Sequence, residues 1–173
     1  MGYYVRLLEA DWVVPENQAV FDALASLNKL DGDLKRGGSW GPGDARTYWF
    51  SWMPEDYDTK FTTVAEILDA LGFEYQVNEE ISIETPYPTI SITGYDIKTS
   101  QVNLLSEARA PFVKNMSYMN WEGEEGERWI YTVINGHLHM SEGKIVYTDP
   151  KPYSPLEAAK HLGKALNVIR NAT

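Results

Sequence analysis

Asn135-Gly136 stands between two runs of alternating apolar and polar residues, 127–134 and 137–140. A two-residue type I′ turn needs positive φ at both central positions, and Asn and Gly adopt it most readily. The spacing predicts a tight antiparallel hairpin, with Val133 beside Leu138 and Ile134 beside His137. A lone hairpin is marginal in water, so a chain containing one must set further strands beside it. Segments 3–14, 73–77, 81–83, 89–95, 117–122 and 144–148 read as those strands. An aromatic run, Tyr48-Trp49-Phe50-Ser51-Trp52 within 46–53, reads as one more and is closed by Pro54.

Four stretches carry the 3.6-residue period instead. Val20, Phe21, Leu24 and Leu27 mark a helix over 16–28, with Pro15 suited to its first turn. Thr63 and Glu66 form a capping box ahead of Val64, Ile67, Leu68 and Leu71, and Gly72 suits the C′ position. Ser100 is placed to cap a third helix through Leu104, Leu105 and Ala108, which Pro111 stops. Ser154-Pro155-Leu156-Glu157 opens a fourth, with Leu156, Ala159, Leu162, Leu166 and Ile169 on one face. The expected class is α+β: a largely antiparallel sheet with about four helices packed on it. A split β-α-β first half and a β-meander second half fit this order. The expected organisation is one compact domain over 1–173, with halves 1–84 and 85–173 sharing a core.

Composition narrows the function. Leu, Ile, Val and Phe make up about 23% of the 173 residues, above the level at which disorder becomes the default. The absence of Cys excludes disulfides, iron–sulfur clusters and Cys-based zinc sites. A net charge of −10 argues against non-specific nucleic-acid binding, which needs Lys and Arg on phosphates. The middle third is the most acidic, at net −5. Arg6, Glu9 and Asp11 interrupt the stretch where an export signal would need an apolar core, and no apolar run is long enough for a membrane span. A cytoplasmic protein is expected.

The loop 34–46 is the first candidate binding element. Gly37 and Gly38 let backbone N–H groups approach a ligand, Lys35, Arg36 and Arg46 concentrate positive charge, and Trp40 can stack. Trp49 and Trp52 extend the aromatic surface. The spacing does not match the phosphate-binding loops, so a plain connector is the competing reading. His137 and His139 share one strand face and Glu142 is near in sequence, yet solvent-facing positions account for them and no metal is expected. Four carboxylates within 122–127 read as a solvated hairpin tip or as a contact for a basic partner. No Cys nucleophile, Gly-x-Ser-x-Gly elbow or His-Glu-x-x-His helix is present, and no cofactor is expected.

Gly2-Tyr3-Tyr4-Val5-Arg6, Tyr48-Trp49-Phe50-Ser51-Trp52-Met53, Ala110-Pro111-Phe112-Val113 and the segment from Ser117 through Trp121-Glu122-Gly123-Glu124-Glu125-Gly126-Glu127 to Trp129 resemble a group of small bacteriophage and bacterial proteins. That group has no established activity, so the resemblance implies a phage-type accessory protein and no site residues. The expected function is a non-catalytic binding protein that engages a host macromolecule, with inhibition of host defence as one outcome. The alternatives are a protein that sequesters a small anionic nucleotide through Lys35–Arg46, and a small hydrolase using carboxylates.

Overall fold

Alternating side chains give each strand one buried and one exposed face, and the sheet is assembled from that alternation. The computed structural model describes residues 3–30, 50, 53, 56–99, 101–144 and 146. β1 (Tyr4–Asp11) and β2 (Val13–Pro15) are two stretches of one line of chain, interrupted at Trp12. The Trp12 carbonyl still accepts from Ile92 N–H at 3.0 Å, so the line stays docked on its neighbour. α1 (Gln18–Ser26) follows, then a turn of 3₁₀ helix at Leu27–Lys29. The one-turn α2 (Tyr57–Lys60) and α3 (Val64–Leu71) lead into β3 (Phe73–Asn78) and β4 (Thr89–Lys98). α4 (Val102–Arg109) and a 3₁₀ turn at Ala110–Phe112 precede β5 (Tyr118–Gly123), β6 (Arg128–Ile134) and β7 (His137–Gly143).

The seven strands form one antiparallel sheet in the order β2-β4-β1-β5-β6-β7, with β3 on β4. β4 is antiparallel to both β1 and β3, so those two strands run parallel with β4 between them. β5, β6 and β7 follow as consecutive hairpins. The class is therefore α+β, as the sequence implies. Val5, Leu7, Met119, Trp121, Tyr131 and Val133 face the helices and are buried, while Arg6, Glu122 and Arg128 point the other way. α1, α3 and α4 add Leu24, Ile67, Leu68 and Leu105 to the same core.

Local chemistry fixes the helix ends. Asn17 caps α1 by accepting from Val20 N–H at 3.1 Å. The Thr63–Glu66 capping box forms as expected, and Gly72 ends α3 at φ 82°. Glu16 clamps the start of α3 from a distance, accepting from Val64 N–H at 2.6 Å and Ala65 N–H at 3.0 Å. A carboxylate there meets the positive end of the helix dipole.

Several expectations are corrected. Pro15 ends β2 opposite Thr89 and is not in the helix, which starts only after the Asn17 cap. Phe50 and Met53 are not in a strand: Met53 N–H closes a turn onto Phe50 C=O at 3.0 Å. Both side chains are buried, so core contact rather than a ladder explains their apolar character. Segment 81–83 is not a strand either: it lies in the irregular connection between β3 and β4, and both Ile side chains face solvent. Leu105, expected on the apolar face of α4, is buried there with Val102, Ser106 and Arg109, while the expected Leu104 and Ala108 are only partly buried against the core. Lys144 and Val146 are not in a strand. The Ser100 cap and the fourth helix at 154–170 lie outside the described residues.

Candidate partner-binding site

Lys35, Arg36, Gly37, Gly38, Trp40, Arg46, Trp49 and Trp52 all lie outside the described residues. The described part of the chain brings a different group to the surface. β3 ends at Asn78 and β4 starts at Thr89, leaving ten residues, 79–88, where hairpin connections are usually two to five. Short hydrogen bonds hold this long tip in shape. Ser82 N–H donates to Thr85 C=O at 2.9 Å, and Thr85 N–H donates back to Ser82 Oγ at 3.0 Å. At the base, Glu80 N–H donates to Asn78 Oδ1 at 3.0 Å, and Glu16 N–H donates to Pro88 C=O at 2.8 Å.

The tip presents apolar side chains outward. Ile83 is 101% exposed, Ile81 64% and Tyr87 48%. Scattered exposed hydrophobics need no explanation, but a group on one ordered loop does. Glu79, Glu80 and Glu84 neighbour them along the chain, are exposed, and make no ion pair among the described residues. Exposed apolar anchors interspersed with exposed carboxylates on one loop suit a partner surface that offers an apolar pocket with a Lys or Arg rim. The sequence reading missed this site because it placed Ile81 and Ile83 in a strand. The signal that marks it is Pro86 and Pro88, which cannot donate to a ladder and so argue for an extended loop.

The second acidic segment behaves differently. Residues 124–127 do form the tip of the β5–β6 hairpin, but three of the four carboxylates in 122–127 are engaged within the fold. Glu122 pairs with Arg128 at 2.8 Å, and Glu124 accepts from Tyr4 N–H at 3.2 Å. The Tyr3 hydroxyl donates to Glu127, which holds that carboxyl below its ordinary range. Desolvation, followed by the same bond, raises the Tyr3 hydroxyl.

His137 and His139 lie opposite Ile134 and Thr132 on the open face of the sheet. Glu142 is opposite Trp129 and points to the helical face, so it does not join them. Among the described residues no three His, Asp or Glu side chains are grouped to hold a metal. His137 instead lies 3.6 Å from Glu107, whose other oxygen accepts from Leu138 N–H at 2.9 Å. These contacts tie α4 to β7 beside an open groove of about 630 Å³ on the helical face. Its lining includes Leu104, Trp129, Tyr131, Leu138 and Met140.

Comparison with family models, with curated proteins and with solved structures returns no match for this chain.

Proposed function

We propose that this protein is a non-catalytic binding protein that engages a host protein through the β3–β4 tip, in the manner of a phage-type accessory factor. The observation that supports this reading most directly is Ile81, Ile83 and Tyr87 held outward on a hydrogen-bonded loop among Glu79, Glu80 and Glu84. Fully burying an Ile side chain is worth about 1.5–3 kcal/mol, so two such anchors contribute about 3–6 kcal/mol toward the cost of association. The surrounding carboxylates select a basic rim and speed encounter with it. A cytoplasmic location belongs to the same reading; among the described residues no helix is long and apolar enough to cross a membrane.

The test compares the wild type with an Ile81→Ser, Ile83→Ser double variant. Both are immobilised and exposed to host lysate, and both are melted. The variant is expected to melt with the wild type and to lose the specifically retained protein. Retention of the same protein by both would remove the tip from the binding site.

A further inference from the structure

We propose that the groove between α4 and the β6–β7 hairpin binds a small organic amine, its apolar body on the sheet and its ammonium group held by Glu107 and Glu142. The site is distinct from the β3–β4 tip and takes a different class of ligand. Period-two alternation puts Trp129 and Tyr131 of β6 on the helical face of the sheet, together with Leu138, Met140 and Glu142 of β7. The Leu138 N–H points away from β6 and donates to Glu107 at 2.9 Å. Residues 138, 140 and 142 therefore form the non-hydrogen-bonded pairs with Val133, Tyr131 and Trp129, the pairs whose side chains come closest.

The floor is aromatic and set in advance. Trp129 stacks on Trp121 with centroids 6.4 Å apart and meets Tyr131 edge-on at the same separation. Neither ring must reorder when a ligand arrives, which removes part of the usual cost of binding. Towards β7 the floor becomes accessible: Trp129 and Leu138 are half-buried and Met140 is 58% exposed. A volume of about 630 Å³ lies within the range of small-ligand sites, and such sites combine an apolar wall with a few polar groups.

Charge decides which ligand fits. Glu107 is the one charged side chain among the described residues that line the groove, and no Lys or Arg is among them. Glu142, exposed and directly opposite Trp129, adds a second carboxylate at the rim. Neither carboxylate pairs with a Lys or Arg among the described residues. One oxygen of Glu107 is anchored by the Leu138 N–H, and the other lies 3.6 Å from His137, which is charged only when protonated. An ammonium group gains from both carboxylates and from the faces of Trp129 and Tyr131. A neutral molecule of the same shape gains burial alone, and an anion is repelled by a chain of net charge −10.

The test titrates three probes of one shape, phenethylammonium, 2-phenylethanol and phenylacetate, into the ¹⁵N-labelled full-length protein at neutral pH and low salt. The Trp129 indole N–H and the amides of Leu104, Leu138 and Met140 report binding. Phenethylammonium is expected to shift them saturably, with a Kd at least tenfold below that of the alcohol, and phenylacetate is expected not to saturate. Glu107→Gln keeps an oxygen for the Leu138 N–H, so the Glu107→Gln, Glu142→Gln double variant is expected to stay folded. It should bind the alcohol as the wild type does and lose the preference for the ammonium. Equal affinities for ammonium and alcohol, no saturable shift at these residues, or a preference that survives in the double variant would overturn the proposal. Should the variant melt early, about 0.5 M KCl on the wild type decides the same point. Screening of exposed carboxylates should shrink the preference, and an undiminished preference there would overturn the proposal equally.

Discussion

Arg109 sits wholly inside the core, at the end of the buried face of α4. Its Nε donates to Leu105 C=O at 2.9 Å, and its guanidinium stacks over Phe73 at 4.5 Å. Among the described residues neither Nη1 nor Nη2 has a hydrogen-bond partner, and none is found there for Trp12 Nε1. Desolvation dominates and pulls the guanidinium down to about 10, with proximity to Tyr95 opposing. Cation–π contact offsets part of the cost of burying the charge, but a neutral side chain of similar length would avoid that cost. Arg109→Met is therefore expected to raise stability by about 1–3 kcal/mol at neutral pH. Above about pH 10 the unfolded chain binds the Arg proton more fully than the folded one, so the wild type gains stability as pH rises there. The advantage of Arg109→Met should thus shrink above pH 10. Urea midpoints at pH 7 and pH 10.5 test both statements, and a less stable variant at pH 7 would show that the stacking outweighs the desolvation. None of this is legible in the sequence, where an Arg on a helix reads as a solvent-facing charge.

Elements whose rules are local were readable, and those that depend on a distant neighbour were not. Asn135 and Gly136 take φ 53° and 78°, and the β6–β7 register pairs Val133 with Leu138 and Ile134 with His137. Gly136→Val places a β-branched residue at positive φ and should destabilise the fold by about 1–2 kcal/mol, read as a lower melting temperature. An unchanged melting temperature would mean that the turn can be remade elsewhere. Thr63→Ala removes the α3 cap, where Thr63 Oγ accepts from Glu66 N–H at 3.2 Å, and should cost about 1 kcal/mol by the same measurement. The capping box and the Asn-Gly turn each lie within four residues, so propensity alone finds them. Alternation at Ile81 and Ile83 satisfies the strand pattern equally well, but a strand also needs a partner edge, which no window of sequence displays. The clamp of Glu16 on α3 spans 48 residues and is invisible for the same reason.

At the scale of the whole molecule, the sheet and the candidate binding tip are separable. The core runs through Trp12, Trp121, Tyr95 and the apolar faces of α1 and α3, and Ile81, Ile83 and Tyr87 take no part in it. The sequence-derived site, Lys35 to Trp52, and the tip at 79–88 therefore compete as the binding element, and they can be told apart by cutting the tip away. Asn78 pairs directly with Thr89, so replacing 79–88 by a two-residue Asn-Gly turn keeps the β3–β4 register. Shortening the loop from ten residues to two recovers about 1.4 kcal/mol of closure entropy. Losing the hydrogen bond from Glu16 N–H to Pro88 C=O gives back about 1 kcal/mol. The two nearly cancel, so the shortened protein should melt within a few degrees of the wild type. If the tip is the anchor, the same protein should no longer retain the host partner that the wild type holds. Retention at full strength with an unchanged melting temperature would move the binding site off the tip and back toward Lys35–Arg46. A large loss of stability would instead mean that the tip is part of the scaffold, and that its outward Ile side chains are held in place by the fold rather than offered to a partner.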